Sequence, residues 1–211
     1  MKILKIISAV LALLFLAWIL WGWLSVRNVE EPAYEVLSAN DLYEVRKYAP
    51  VIIAKTTVEG EREAATNEGF RRIADYIFGN NTTSDSIAMT TPVTSQGSEK
   101  IAMTTPVTSL ENESGTQTIA FVMPSKYTLE TLPKPVTDFV VIEEVPEKVY
   151  AVLRFSGWVS DEKVQKKKSE LIEALEADDM TFNDAYTLSQ YNPPWTPWFM
   201  RRNEIWIEVG S

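Results

Sequence analysis

The stretch of sequence that decides the fold is YEVRKYAPVIIAKTTVEGEREAATNEGFRRIADYIFG, residues 43–79. Residues 43–48 and 51–58 are rich in β-branched and aromatic side chains, which predicts two strands separated by a turn at Ala49-Pro50. A helix is predicted over residues 61–78 because its apolar side chains fall on one face: Phe70, Ile73, Ala74 and Ile77. Gly79 is a natural stop for that helix, so the stretch predicts a strand–turn–strand–helix unit.

A second unit of the same kind is predicted over residues 139–177. It begins with a strand at 139–144, a turn at Pro146-Glu147 and a strand at 149–155. A helix follows from residue 161, with Ser160 as its N-cap. Two such units in one chain predict an internal duplication, although their sequences share little identity.

Three further strands are predicted, at residues 118–123, 185–191 and 205–209. Helices that alternate with hairpins favour an α+β fold over a doubly wound parallel sheet. The predicted architecture is therefore a distorted antiparallel β-barrel or curved sheet, with two helices packed on its outer face.

The N-terminus carries a long apolar segment, residues 6–26, preceded by Lys2 and Lys5. This length is enough to cross a bilayer as a helix, and the lysines predict that the N-terminus stays in the cytoplasm. We expect a single-pass membrane anchor at 1–26, a linker at 27–33 and a folded domain at 34–211 on the extracytoplasmic (periplasmic) side. A cleaved signal peptide is the alternative, but bulky tryptophans stand where such a peptide needs small residues.

Charge and composition exclude several kinds of function. The net charge is −9, and an acidic domain repels phosphate backbones, so nucleic acid is not an expected partner. The chain has no cysteine and no histidine. This excludes disulfides, thiolate nucleophiles and the usual proximal ligand of haem iron, and no metal site is predicted.

A tandem repeat is the most specific local feature of the sequence. IAMTTPVTS occurs at residues 87–95 and again at 101–109. Its proline cannot donate to a strand ladder, so both copies are expected at sheet edges or in loops. Met89 and Met103 could line a cleft for a flat apolar molecule, whereas the simpler interpretation, which the residues alone favour, is that they fill a core or rim.

The second distinctive segment is YNPPWTPWFMRRNEIW, residues 191–206. Its three prolines stiffen an extended loop, and Trp195, Trp198 and Phe199 offer large flat surfaces. Arg201 and Arg202 could pair with Glu204 or with the carboxylate of a ligand. The alternative is a loop that packs over the end of the barrel and holds its arginines in structural ion pairs.

These segments together resemble the SOUL haem-binding family. The similarity rests on residues 43–51, on residues 69–79, on the paired IAMTTPV boxes and on the C-terminal segment, and it extends from residue 34 to residue 209. The resemblance implies a distorted barrel built from a duplicated unit, kinship with gyrase-inhibitor-like effector-binding domains, and a shallow apolar cleft for haem or another tetrapyrrole. One branch of the family uses a histidine as iron ligand, a mode that this chain cannot share.

The functional hypothesis is a membrane-tethered binding protein for haem, a related tetrapyrrole or another flat apolar molecule. The candidate contacts are Met89, Met103, Trp195, Trp198 and Phe199, with Arg201 and Arg202 facing the propionates. An axial ligand would have to be methionine or tyrosine, for example Met103 or Tyr43.

Two other classes of function stay open. One is a structural or interaction domain, or a small-molecule effector-binding module, that holds no haem. The other is a small hydrolase with a carboxylate–tyrosine pair that uses one of three acidic residues: Glu44, Glu143 or Glu204. The sequence contains no motif that supports catalysis, so the chain is predicted not to be an enzyme.

Overall fold

The computed structural model describes residues 1–82, 98–111 and 115–210. The first IAMTTPVTS copy, with Met89, lies outside these residues. The helices are α1 (Lys2–Leu24), α2 (Arg62–Ile77) and α3 (Asp161–Ala177), with a 3-10 turn at Trp198–Met200. The strands are β1 (Tyr34–Ala39), β2 (Glu44–Tyr48), β3 (Val51–Glu59), β4 (Asn81–Thr82), β5 (Val107–Glu111), β6 (Thr116–Val122), β7 (Lys134–Pro135), β8 (Val141–Val145), β9 (Lys148–Phe155), β10 (Phe182–Gln190) and β11 (Asn203–Val209).

Nine of the strands form one antiparallel sheet in the order β1-β2-β9-β11-β10-β5-β6-β3-β8. The sheet curls into a half-barrel, and β4 and β7 form a separate two-stranded ribbon. The predicted α+β class and curved antiparallel sheet are confirmed.

The order of the strands confirms the predicted duplication. The series β2-β3-α2-β5-β6 is repeated as β8-β9-α3-β10-β11. When each of these eight strands is replaced by its counterpart in the other series, the strand order of the sheet is the same order read from its other end. The strands on either side of each turn are not hairpin partners, because β2 pairs with β9 and β3 pairs with β8. Each turn therefore carries the chain from one half of the sheet to the other.

Each half of the sheet buries one face under its own helix. α2 covers β3 and β6 through Ile73, Tyr76 and Ile77, which are at most 2% exposed. α3 covers β9, β10 and β11 through Leu171 and Leu175, both fully buried. The Ser160 side chain accepts a hydrogen bond from the Lys163 amide at 3.2 Å, which confirms the predicted N-cap of α3.

The second IAMTTPVTS copy lies in two structural settings. Residues 101–106 form an irregular segment, as expected for a proline-containing loop. Val107, Thr108 and Ser109, however, belong to β5, which pairs with β10 on one side and β6 on the other. The prediction of an edge or loop is therefore wrong for these three residues, because Pro106 precedes the strand and removes no ladder donor from it.

α1 is long and apolar enough to cross a membrane by length and composition. Its side chains are mostly exposed, and Gly22 is buried. The helix lies against the segment 195–199 near the C-terminus, which is described with the site below.

Candidate functional site

The face of the sheet opposite α2 and α3 forms a cleft. Its centre is lined by Thr108 of β5 and Thr187 of β10, whose short side chains leave space above the middle of the curved sheet. An aromatic wall stands on one side, and an aliphatic wall stands on the other: Val51, Ile53, Ala120, Val122 and Val145. We call this cavity of about 130 Å³ the aromatic compartment.

The aromatic wall consists of Tyr48, Tyr150 and Trp206, one each from β2, β9 and β11. The Trp206 ring centroid lies 4.6 Å from that of Tyr48 and 5.5 Å from that of Tyr150. The rings of Tyr48 and Tyr150 meet edge to face at 5.9 Å. These contacts hold the three side chains as one rigid unit.

A second cavity of about 590 Å³ adjoins the first, and four residues line both: Pro32, Ala49, Val51 and Val122. Apolar residues such as Ile52, Met123 and Leu129 line it together with four carboxylates: Glu30, Glu31, Glu130 and Glu144. We call it the acidic compartment. Among the described lining residues of both compartments, the single cation is Lys148, which pairs with Glu208 at 2.7 Å beside the aromatic wall.

The segment between α1 and β1 contributes to both compartments, and we call its residues 29–33 the strap. Residues 30–33 line the acidic compartment, and Pro32 also lines the aromatic compartment. The Glu30 carbonyl accepts a hydrogen bond from the Thr105 amide at 2.9 Å, and its side chain accepts one from the Ser125 amide at 2.8 Å. The Ala33 carbonyl accepts from the Ala49 amide at 3.1 Å. The segment predicted as a linker, residues 27–33, is thus bonded to the domain at Glu30 and Ala33.

A buried ionic network lies beside the aromatic wall. The Glu204 side chain is fully buried and accepts hydrogen bonds from Arg46 at 3.1 Å, Arg202 at 2.9 Å, the Tyr191 hydroxyl at 2.7 Å and the Trp206 indole at 2.8 Å. Burial raises the pKa of Glu204, but Arg202, the Tyr191 hydrogen bond and Arg46 outweigh it, so its pKa lies below the ordinary value.

This network gives the carboxylate a structural role. Both oxygens of Glu204 already accept two or more hydrogen bonds, so the group offers no free lone pair for a general base. The other two acids considered for hydrolysis are also paired, Glu44 with Arg46 at 2.7 Å and Glu143 with Lys55. The described residues also contain no group of three acidic side chains able to hold a metal ion.

The three aromatic residues predicted near the C-terminus are found against α1. The Trp18 indole donates to the Trp195 carbonyl at 2.8 Å. The ring of Trp198 lies 6.3 Å from that of Trp18, and the ring of Phe199 lies 6.3 Å from that of Phe15. All three keep between 44% and 56% of their surface exposed.

The two predicted arginines are engaged by the protein. Arg201 donates to the carbonyls of Thr196, at 2.9 Å, and Pro194, and its guanidinium lies over the Trp158 ring. Arg202 bridges Glu204 and the strap residue Glu31, both at 2.9 Å. These are the structural ion pairs and loop contacts that the sequence left as an alternative.

Two other candidate ligand contacts, Met103 and Tyr43, lie outside the segment 195–199. Met103 is 36% exposed and precedes Thr104, which lines the acidic compartment. Tyr43 lies in the core under α3, where its hydroxyl donates to Asp178, and burial raises its pKa to about 12. Neither its position nor its protonation suits an iron ligand, and Met89 stays a prediction outside the described residues.

The aromatic wall was not predicted from the sequence. Tyr48, Tyr150 and Trp206 each lie in a predicted strand, and alternation places them on the face opposite the apolar core residues. That signal was available for each strand separately. Their assembly depends on β2 pairing with β9 rather than with β3, which local sequence does not show.

Comparisons with known proteins agree with the fold and the motifs. A family model described as SOUL heme-binding protein matches residues 29–208. The chain is 32% identical over 172 residues to Heme-binding protein 2 of Homo sapiens, covering 78% of this chain and 77% of that protein. It is 28% identical over 168 residues to Heme-binding protein 1 of Xenopus laevis, covering 78% and 82%. The solved EcmrR C-terminal domain shares the fold, with a TM-score of 0.58 at 8% identity over 84% of this chain and 98% of that one.

Proposed function

The chain belongs to the SOUL haem-binding protein family, and we propose that it binds haem or a related tetrapyrrole without a histidine ligand while α1 tethers it to a membrane. The observation that carries the proposal is the aromatic compartment. It offers one rigid wall of three rings facing an aliphatic wall, which suits a flat apolar molecule.

The charges around the cleft favour one orientation of the ligand. The acidic compartment repels propionates, whereas Lys148 stands at the aromatic wall with its ammonium partly exposed. A tetrapyrrole would therefore place its ring against Tyr150 and Trp206 and turn its propionates towards Lys148 and solvent. Its apolar edge would extend below the strap into the larger cavity.

The residues of the cleft are better suited to contact the porphyrin ring than to ligate the haem iron. Burial, followed by the charge of Glu208, raises the pKa of Tyr150 to about 12, so this hydroxyl resists forming the phenolate that iron prefers. Burial also raises the pKa of Tyr48. Haem would supply its redox-active iron, and the thioether of Met123, which lines the larger cavity, is the soft donor available there.

The tether completes the proposed function. α1 is long and apolar enough to span a bilayer, and the lysines at its start favour an N-terminus on the cytoplasmic side. The domain would then hold its ligand on the extracytoplasmic side.

A single introduced thiol tests the orientation of the domain. Because the chain has no cysteine, Asp184→Cys, at an exposed position, creates a single thiol that reports the side of the membrane on which the domain lies. It should react with a membrane-impermeant maleimide in intact cells, and protection until lysis would reject this orientation.

A haemin titration of the full chain in detergent micelles tests ligand binding. The wild type should give a saturable Soret shift with a Kd in the low micromolar range, on the order of 8 kcal/mol of binding free energy. Val51 lines both compartments, so Val51→Trp should fill the cleft and raise the Kd at least about tenfold. Val36→Trp, at a 48%-exposed position on β1, is the matched control and should bind as the wild type does.

Two results of the titration would contradict the proposed function. A wild type that shows only non-saturating adsorption would reject haem binding and leave a non-haem interaction domain. Equal affinities of Val51→Trp and Val36→Trp would reject the cleft as the site. Circular dichroism of both variants checks that the substitutions leave the fold intact.

A further inference from the structure

The loop of residues 195–200 docks on α1 through contacts spread along two turns of the helix. Pro197 lies against Gly22, where a Cβ atom would come within 2.7 Å of the proline ring. The Trp18 indole donates to the Trp195 carbonyl at 2.8 Å. The ring pairs Trp18–Trp198 and Phe15–Phe199 complete the contact. Because any side chain at position 22 would collide with Pro197, the helix surface is shaped to fit this loop.

The contact reaches deep along the helix. Phe15 precedes Leu24, the last residue of α1, by nine positions, which is about 13–14 Å at the rise of an α-helix. If α1 spans a bilayer whose hydrocarbon is about 30 Å thick, this position lies well inside the hydrocarbon. The loop must then enter the same leaflet, because its rings are in contact with the helix there.

The carbonyl groups in the first part of the loop are bonded within the protein. Irregular backbone is tolerated at membrane depth only where its polar groups are bonded within the protein. The carbonyls of Pro193, Pro197 and Trp198 accept from amides within the loop. Those of Pro194 and Thr196 accept from Arg201, and that of Trp195 accepts from Trp18. Six consecutive carbonyls are therefore bonded, and the prolines at 193, 194 and 197 have no amide hydrogen.

The outer surface of the loop is apolar. Trp195 is 56% exposed, and Trp198 and Phe199 are 44% exposed. Tryptophan is enriched where proteins meet the membrane interface, because its ring is apolar and its indole N–H is polar. The net charge of −9 opposes binding to anionic head groups, so the attraction must come from the hydrocarbon.

We infer that the loop of residues 195–200 inserts into the outer leaflet beside α1 and seats the domain on the lipid bilayer. This inference rests on the tether in the proposed function. The strap begins within five residues of the end of α1, and its Pro32 lines both compartments, so the seated domain presents its cleft near the membrane surface. A tetrapyrrole dissolved in the bilayer then has a short path into the site.

Spin labels on single cysteines test the inference in the full chain, reconstituted in phosphatidylcholine nanodiscs. The label at Trp195→Cys should collide with oxygen, which concentrates in lipid, at least about threefold more readily relative to a water-soluble nickel chelate than a label at Phe139→Cys. Phe139 is 62% exposed and is the matched control on the domain. A label at Leu13→Cys, 66% exposed in the middle of α1, reports whether the helix spans.

The three labels separate the possible failures. If Leu13→Cys lies in lipid and Trp195→Cys lies in water, the loop is not inserted and the inference is overturned while the tether stands. If Leu13→Cys also lies in water, the tether fails and the inference fails with it. A second substitution sharpens a positive result, because Gly22→Leu should push Pro197 away and move the Trp195→Cys label towards water. Ala17→Leu, at an exposed position of α1, should leave that label in lipid.

Discussion

In the C-terminal half of the sheet the helix-free face carries Tyr150 and Trp206, whereas the corresponding positions in the N-terminal half carry Ile53 and Ala120. This correspondence follows from aligning the turn at Ala49-Pro50 with the turn at Pro146-Glu147 and then following the pairing of the strands. On the helix-covered face, Ile119 corresponds to Ile205, and both are fully buried.

The two halves carry similar residues on the helix-covered face, which stabilises the fold, and different residues on the helix-free face, which lines the cleft. Both halves require apolar residues under their helices, so the same side-chain types occur there. The cleft is lined by different residues of the two halves, so a molecule in it would face one wall from each half. Its two walls can therefore differ, and the aromatic residues with their buried ionic network are concentrated in the C-terminal half and on β2.

The largest difference between the halves is expected in the response to loss of a carboxylate. Glu204→Gln removes the buried negative charge that pairs with buried Arg46 and partly buried Arg202. Each arginine keeps one more exposed carboxylate partner, so the free energy of unfolding should fall by up to about 3–5 kcal/mol. Glu143→Gln breaks the exposed Lys55 pair of the N-terminal half and should cost about 1 kcal/mol or less. Urea denaturation of both variants measures the difference, and equal losses would contradict a structural role for the network.

The helix-covered face should show the opposite result, namely equal costs in both halves. Leu171→Ala under α3 and Ile73→Ala under α2 each remove a fully buried aliphatic side chain. Each should lower the free energy of unfolding by about 3 kcal/mol, within the range of about 2–5 kcal/mol for such cavities. The same denaturation assay applies. A loss confined to one variant would show that the two cores do not support the sheet equally.

Acid should reduce the contrast between the halves. The folded-state pKa of Glu204 lies below 4.5, so the stability that this group contributes is present above its unfolded pKa and is lost as the pH falls through the folded value. The difference in unfolding free energy between wild type and Glu204→Gln should therefore be largest above the ordinary pKa of glutamate, about 4.3, and should shrink as the pH falls below it. A difference that stays constant as the pH falls would show that the carboxylate is not charged in the fold.

The elements could be predicted from the sequence because each depends on local pattern. The N-cap of α3 at Ser160 and the stripe of α2 through Ile73 and Ile77 required only neighbours along the chain. The site could not be predicted in the same way. Trp206 meets Tyr48 only because β9 stands between their strands, and Trp198 meets Trp18 across 180 positions of sequence.

The sequence also left open what the aromatic residues near the C-terminus contact. The same flat side chains suit a tetrapyrrole, a helix or a lipid, so the sequence could single out Trp195, Trp198 and Phe199 without revealing what they contact. Their contacts with α1 supply that information. The arginines beside them were predicted to face propionates, but Arg202 pairs with the buried carboxylate of Glu204, and Arg201 donates to carbonyls of the loop.

The smallest expected effect concerns the two walls of the cleft. Tyr150→Leu removes one ring from the aromatic wall and keeps an apolar side chain, so haemin should bind about threefold to tenfold more weakly, equivalent to one aromatic contact of about 0.5–1.5 kcal/mol. Ile53→Leu changes the shape of the corresponding position in the aliphatic wall and should alter the affinity by less than about twofold. The Soret titration measures both. Equal affinities would mean that the ligand does not distinguish the two halves, and the aromatic wall would then serve the fold rather than the site.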